Sequence, residues 1–293
     1  MKTKNREIAV LITCHNRKSK TLTCLQTFFE ADKPDGYLFD IYVVDDGSTD
    51  GTTEAIEKLY PTIYVVRGDG SLFWAGGMRL AWQTALDAKE YHAFILLNDD
   101  VLLNKDFISK LITTDEFVLK VDGKTGVYSC ATIDDDTKEF TYGAYNVTKE
   151  LLKMRIHIVI PTDTPQKCDL TNANILWVSK ETVDVIGILD EKFTHGIADF
   201  DYSLRAIKKE IPVYLTPNFG GGCANDHTAT KKMVHAPLKD RIAYLKSPKG
   251  MSYSQYLFYI RRHFPMFLPI EFTTLWFRTL FPKMWAKLKN KQL

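Results

Sequence analysis

Four short runs, residues 8–13, 41–44, 63–66 and 94–97, are apolar almost throughout, and each is followed by a polar or glycine-bearing turn. Between them, residues 19–29, 53–59 and 78–88 carry helical patterning; Leu22, Leu25 and Phe29 share a face of the first, and Leu80, Thr84 and Asp87 mark the last. Strands this uniformly apolar are buried on both sides, so the alternation predicts a mostly parallel sheet with helices on both faces. Ser19 and Asp50 are the expected helix N-caps. Ligands of such sheets sit beyond the carboxyl ends of the strands, which directs attention to the residues after each run.

Those residues are rich in carboxylates. The first run ends in Thr13-Cys14-His15-Asn16-Arg17, the second in Asp45-Asp46-Gly47-Ser48-Thr49-Asp50-Gly51 and the fourth in Asn98-Asp99-Asp100. Carboxylates gathered on one rim repel unless a cation joins them. Mg²⁺ or Mn²⁺ suits such a rim, because it takes one or two carboxylates and completes its shell with water and phosphate oxygens. The competing reading of each Asp is local, as a turn residue or helix cap. Other nucleotide devices are missing: there is no G-x-x-x-x-G-K-[ST], residues 68–73 do not complete G-x-G-x-x-G, and no G-x-S-x-G elbow occurs.

After about residue 125 the rhythm changes. Residues 127–133, 139–145, 154–160 and 174–178 read as strands of a mixed or antiparallel kind, 181–186 and 200–208 as helices, and 213–216 as a strand. Gly220-Gly221-Gly222 is a hinge or a close backbone approach. The remainder, 236–293, is helical, aromatic and basic.

Charge is divided along the chain. The formal net charge of +2 combines 13 Lys and Arg against 2 Asp and Glu in residues 231–293 with 25 against 34 in residues 1–230. A hydrophobic fraction of 45% excludes a disordered chain. Five cysteines with no C-x-x-C pair predict reduced thiols in a cytoplasmic protein. The apolar run 8–12 is too short for a signal-peptide core, and Pro265, Pro269, Glu271 and Arg278 break the best candidate for a spanning helix, 264–281.

Five segments in order, ITCHNR, IYVVDDGSTDGT, GDGSLFWAGGMRLAW, ILLNDD and GIADFDYSLRA, make residues 7–235 resemble the glycosyltransferase family 2 enzymes, which have the GT-A fold. The FWAGG stretch is similar to the bacterial polysaccharide-building branch, including rhamnosyltransferase-like members. The resemblance implies an α/β GT-A domain over 1–235, a Rossmann-like sheet with a nucleotide-sugar half (1–125) and a small mixed-sheet acceptor half (126–235), followed by a helical segment (236–293).

It also implies roles. Thr13, His15 and Arg17 would line the nucleotide pocket, Asp45 would support its loop, and Asp46 would accept the N3–H of uracil or thymine. Asn98-Asp99-Asp100 matches the family's DXD position with Asn in place of the first acid, Asp100 being the metal ligand and Asp99 a ribose or outer-shell contact. Gly76 and Gly77 would let the backbone approach the donor, and Arg79 would neutralise diphosphate charge. Asp69 and Trp74 flank that loop as sugar contacts, against local readings as a turn and a core aromatic. Asp199 occupies the place of the catalytic base, with Ala198 where an acid is usual and Arg205 six residues on. Asp201 is a further acceptor or donor-sugar candidate, although about 200° of helical rotation separates it from Asp199. His227 matches the late histidine that reaches metal or diphosphate.

The reaction so implied is inverting, Mn²⁺- or Mg²⁺-dependent transfer from a UDP- or dTDP-sugar to a saccharide or lipid-linked saccharide hydroxyl in bacterial surface polysaccharide assembly. Two alternatives stand beside it. A sugar nucleotidyltransferase would need a Gly-rich basic loop after the first strand, and residues 14–20 contain no glycine; the other is a non-catalytic nucleotide-sugar or carbohydrate-binding relative. In the tail, Tyr253, Tyr256, Leu257 and Ile260 form a helical stripe, and Phe264, Phe267, Trp276, Phe277, Phe281 and Trp285 alternate with Arg and Lys. This suits an anionic membrane surface, at the cytoplasmic face of the inner membrane, or helices packed on the domain or on a second copy. No nucleic-acid-binding fold accompanies the basic residues.

Overall fold

The computed structural model describes residues 5–151, 153–224 and 233–290. Strands β1 (Arg6–Cys14), β2 (Tyr37–Asp45), β3 (Tyr64–Arg67) and β4 (Ala93–Asn98) alternate with helices α1 (Lys18–Glu30), α2 (Thr52–Leu59) and α3 (Phe73–Ala88). The strands pair in parallel in the order β4-β1-β2-β3. Ile8 to Leu11 and Phe94 to Leu97 are fully buried, as strands covered on both faces must be.

Ser19 lies inside α1 rather than capping it, and α1 has no side-chain N-cap of its own. Asp50 serves both helices instead: one oxygen accepts from the Lys18 amide at 3.0 Å and the other from the Thr52 amide at 3.1 Å. Helix α3 starts at Phe73 rather than at 78, because Gly76 and Gly77 are helical.

The chain continues through β5 (Leu102–Leu103), α4 (Phe107–Asp122), β6 (Val127–Ile133), β7 (Phe140–Tyr142), β8 (Ala144–Glu150), β9 (Lys153–Val159), β10 (Gln166–Lys167), β11 (Leu170–Thr171), β12 (Ile175–Ser179), α5 (Lys180–Ile186), α6 (Ala198–Lys208) and β13 (Val213–Gly222). Helix α4 was not anticipated, yet Phe107, Ile108, Leu111, Ile112 and Val118 form its buried face. The main sheet runs β10-β13-β6-β12-β4-β1-β2-β3, with β12 antiparallel to both β4 and β6. Strands β11, β8 and β9 form a separate small antiparallel sheet.

The three glycines extend β13 and are not a hinge. A Cβ on Gly220 would lie 2.5 Å from Cys130 Cβ, and one on Gly221 would lie 2.4 Å from the Leu102 carbonyl oxygen, so only glycine admits these neighbours.

Helices α7 (Leu238–Lys246), α8 (Tyr253–His263), α9 (Leu268–Leu280) and α10 (Pro282–Asn290) follow. Tyr259, Ile260, Phe264 and Phe267 are buried in the same core as Leu11, Trp82 and Tyr202. The first half of the tail therefore packs on the domain. Beyond it Met266, Phe272, Leu280, Phe281, Met284 and Leu288 stay exposed. No helix among the described residues is long and apolar enough to cross a membrane.

Candidate active site

Strand register assembles the site. Thr13 pairs with Val44 on one side and Asn98 on the other, and Cys14 pairs with Asp45, so the loops after β1, β2 and β4 emerge side by side. They border a cleft with two adjoining lobes. The first, about 360 Å³, is lined by Thr13, His15, Asp46, Gly70 and Phe73. The second, about 520 Å³, is lined by Asn98, Asp100, Asn172, Asp199 and Tyr244. Arg17, Trp74, Asp99, His195 and Lys249 line both and form the neck.

In the first lobe Asp45 holds its own turn, accepting from the Ser48 amide at 2.9 Å and from the Thr53 hydroxyl. His15 Nδ1 lies 2.6 Å from the Asp46 carbonyl oxygen, which can only accept, so the proton sits on Nδ1. At the neck Arg17 bridges Asp99 at 3.2 Å and Asp100 at 2.9 Å. Burial pushes the Asp99 carboxyl up to about 6, although Arg17 opposes the shift. Asn98, in place of an acid, accepts from the Trp74 indole N–H at 2.8 Å and fixes that ring.

Asp199 stands on the first turn of α6, just after Ile197, whose φ of 72° bends the chain into the helix. One oxygen accepts from the Phe200 amide at 2.9 Å; the other accepts from the Ala173 amide at 3.2 Å and the Asn172 side chain at 3.4 Å. Burial raises its pKa above the ordinary carboxylate value, against those donors. A fixed, partly desolvated carboxylate at a cleft wall is equipped to accept a proton from a hydroxyl.

Several expected contacts are elsewhere. Asp201 is fully buried, ion-paired with Arg205 and Arg262 and hydrogen-bonded to His263, so it is not open to a ligand. Arg79 donates to the carbonyls of Asp190 at 3.1 Å and Phe193 at 2.7 Å, so it braces a loop rather than a diphosphate. A Cβ on Gly77 would lie 2.0 Å from Thr13 Oγ1, and one on Gly76 would lie 3.2 Å from Leu72 Cβ; these glycines seat α3 on β1 and do not open the backbone to a donor. Asp69 is exposed and closes a turn with Ser71. Asp46 does line the cleft, but its carboxylate accepts from the amides of Gly70 at 2.8 Å, Leu72 at 3.0 Å and Phe73 at 3.1 Å, so it is occupied in holding that loop. His227 lies outside the described residues.

Sequence reading missed His195, Lys249, Tyr244 and Asn172. The only local signal was a histidine four residues ahead of Asp199; the others arrive from distant segments. Among the described residues no three His, Cys, Asp or Glu side chains converge as a metal cage. Asp100 lines the cleft with Oδ2 paired to Arg17 at 2.9 Å and Lys20 at 3.7 Å, so Oδ1 is the oxygen it could give to a hard cation completed by water and phosphate oxygens.

Comparison with known proteins agrees with this architecture. Residues 9–165, more than half of the chain, match the family model described as Glycosyl transferase family 2. Over 237 residues, 79% of this chain and 70% of the relative, it is 27% identical to the dTDP-rhamnosyl transferase RfbF of Shigella flexneri. Among solved structures it resembles the mannosyltransferase PcManGT from Pyrobaculum calidifontis, in complex with GDP-Man and Mn²⁺, with a TM-score of 0.54 and 16% identity; the match covers 79% of this chain but only 61% of that one. It also resembles S. aureus TarS 1-349 in complex with UDP, with a TM-score of 0.54, 14% identity and coverage of 88% and 72%. Likenesses at that identity speak for the fold, and the expected GT-A α/β sheet is the one observed. The chain belongs to glycosyl transferase family 2 and is a glycosyltransferase with the GT-A fold.

Proposed function

We propose that this enzyme transfers a sugar, with inversion, from a dTDP- or UDP-sugar to a hydroxyl of a saccharide or lipid-linked saccharide in bacterial surface polysaccharide assembly. The observation that carries the reading is the placement of Asp199, its carboxylate oriented by the Ala173 and Phe200 amides, in a lobe that continues through a neck from the lobe at the ends of β1 and β2. The rhamnosyl transferase relative makes dTDP-rhamnose the first donor to try.

In this reading the nucleoside occupies the first lobe against Thr13 and His15, residues 1–125 forming the donor half. Asp199 removes the acceptor proton while the acceptor oxygen attacks the anomeric carbon opposite the departing diphosphate. Its raised pKa makes it a better base than a solvated aspartate. Asp100 would hold Mn²⁺ or Mg²⁺, which supplies Lewis-acid stabilisation of the diphosphate when bound. Arg17, already beside Asp99 and Asp100, orients both carboxylates.

The exposed Phe281, Met284 and Leu288 lie among Lys283 and Lys287, a composition suited to anionic lipid at the cytoplasmic face of the membrane, where a lipid-linked acceptor would be found. Replacing Met284 and Leu288 by Ser should release the protein from anionic vesicles in flotation; unchanged flotation removes the membrane from the proposal.

The central test is a panel of nucleotide sugars with Mn²⁺, read first by thermal stabilisation and then by turnover of wild type and Asp199→Asn. One donor should stabilise the protein by mass action. The variant should keep that stabilisation and lose about 10²–10⁴-fold in turnover. Wild-type turnover by Asp199→Asn, or full activity after thorough chelation, would overturn the corresponding part of the mechanism.

A further inference from the structure

The neck between the two lobes is where a nucleotide sugar must pass from nucleoside to sugar. Two of its five lining residues, His195 and Lys249, lie beyond the 9–165 stretch that the family model matches. We propose that His195 and Lys249 bind the donor diphosphate, so that the C-terminal segment completes the active site instead of merely flanking it. This rests on the nucleotide-sugar reading above.

Both side chains have unused hydrogen-bonding capacity at this place. His195 lines both lobes, and its Nδ1 is buried with no hydrogen-bond partner among the described residues. Lys249 is exposed, and no ion pair or hydrogen bond of its ammonium group occurs among the described residues. Of the other nitrogen-bearing side chains of the neck, Arg17 is already matched by Asp99 and Asp100 and the Trp74 indole by Asn98. Among the described residues Lys249 is therefore an unmatched positive charge facing the neck, and an anionic diphosphate is the part of the donor that such a charge recognises. Burial, then Lys249 and Arg17, hold the His195 pKa below its ordinary value, which accords with the three groups sharing one space.

The two residues are also held in place before any ligand arrives. The Thr194 carbonyl accepts from the Ala75 amide at 3.0 Å, and the Gln255 amide group receives the Thr194 N–H at 3.2 Å and donates to Thr194 Oγ1 at 2.9 Å. Arg79 ties down Asp190 and Phe193 upstream, and Arg262 pairs with Asp190 at 2.7 Å. On the other side, the turn bearing Lys249 is closed by Gly250 N–H to Ser247 at 3.0 Å and Met251 N–H to Tyr244 at 3.2 Å. A Cβ on Gly250 would lie 1.9 Å from the Tyr244 carbonyl oxygen, so the turn is tight. Because Gln255 belongs to α8, it fastens the histidine loop to the same segment that carries Lys249. Groups placed in advance lose little freedom on binding, so they add to affinity.

Calorimetric titration of dTDP and thymidine, and of UDP and uridine, into wild type, His195→Gln, Lys249→Met and Lys249→Arg tests the proposal. Lys249→Met and His195→Gln should each weaken the diphosphate by about 10-fold or more while nucleoside affinity stays within about twofold, and Lys249→Arg should retain most diphosphate binding. Equal weakening of nucleoside and diphosphate, or wild-type diphosphate affinity in both loss variants, would overturn it. If wild type itself binds neither nucleotide, the donor reading fails and this inference falls with it.

Discussion

Asp199 and Asp201 stand two residues apart on the first turn of α6 and serve opposite sides of it. Asp199 lines the cleft, whereas Asp201 is fully buried and meets His263 at 2.8 Å, Arg205 at 2.9 Å and Arg262 at 2.9 Å. One acid is available for chemistry; the other ties the helix to the C-terminal segment.

Removing Asp201 leaves two guanidinium groups without their buried counter-ion, so Asp201→Ala should cost about 3–5 kcal/mol in urea unfolding. Burial opposes ionisation of Asp201, but His263, Arg205 and Arg262 outweigh it and hold the folded pKa below the ordinary value of 3.8. The cluster's contribution is thus complete above 3.8 and fades as pH falls through the lower folded value. The variant should lack that acid-side loss, which pH-dependent unfolding will register.

Gly77→Ala places a methyl group against Thr13 at the mouth of the cleft. Overpacking of this kind costs about 1–3 kcal/mol, and the shift of α3 away from β1 should weaken nucleotide binding as well. Thermal unfolding and nucleotide titration of the same sample check both parts; Gly36, where a Cβ meets nothing within 4 Å but φ is +83°, provides a control without the clash.

Asp46→Ala removes the acceptor of three backbone amides in the loop before α3 and at its first residue. Hydrogen exchange at Gly70, Leu72 and Phe73 should accelerate by about 10-fold or more, with the strands of the sheet keeping their protection. Unchanged exchange would mean that the carboxylate is not what orders the loop.

Asp115 on α4 accepts from the Tyr128 hydroxyl at 3.0 Å, and burial pushes its pKa up to about 6 from 3.8. The folded state then holds a proton that the unfolded state has released, so stability falls as pH rises from about 4 to about 6. Asp115→Asn, which keeps an acceptor for Tyr128, should match wild type near pH 4 and exceed it by up to about 3 kcal/mol at pH 7. Denaturant midpoints at the two pH values measure the difference.

Much of the site was legible because the chain writes it locally. The apolar runs of β1, β2 and β4 and the acids after them declare a parallel sheet and its rim, and Thr13, Arg17, Asp99, Asp100 and Asp199 do line one cleft. Helix α4 stands outside that local pattern, and its buried face includes Phe107, Leu111 and Val118. The Gly76 and Gly77 pair misled because glycine freedom looks the same in a ligand loop as in a helix pressed against a strand, and only the neighbour tells them apart.

The sequence alone determined the fold class, the family and the rim on which the chemistry stands, since strand burial and turn chemistry act between residues close in the chain. Tertiary structure decided which charged side chains remain available to a ligand. Asp46 is taken by amides 24 to 27 residues away, Asp201 by Arg262 and His263 about 60 residues away as well as by Arg205 one helical turn on, and Arg79 by carbonyls more than 100 residues away. It also brought His195 and Lys249 to the neck. A side chain's charge is written in its own residue, but whether that charge is already satisfied depends on partners that only folding brings within hydrogen-bonding distance.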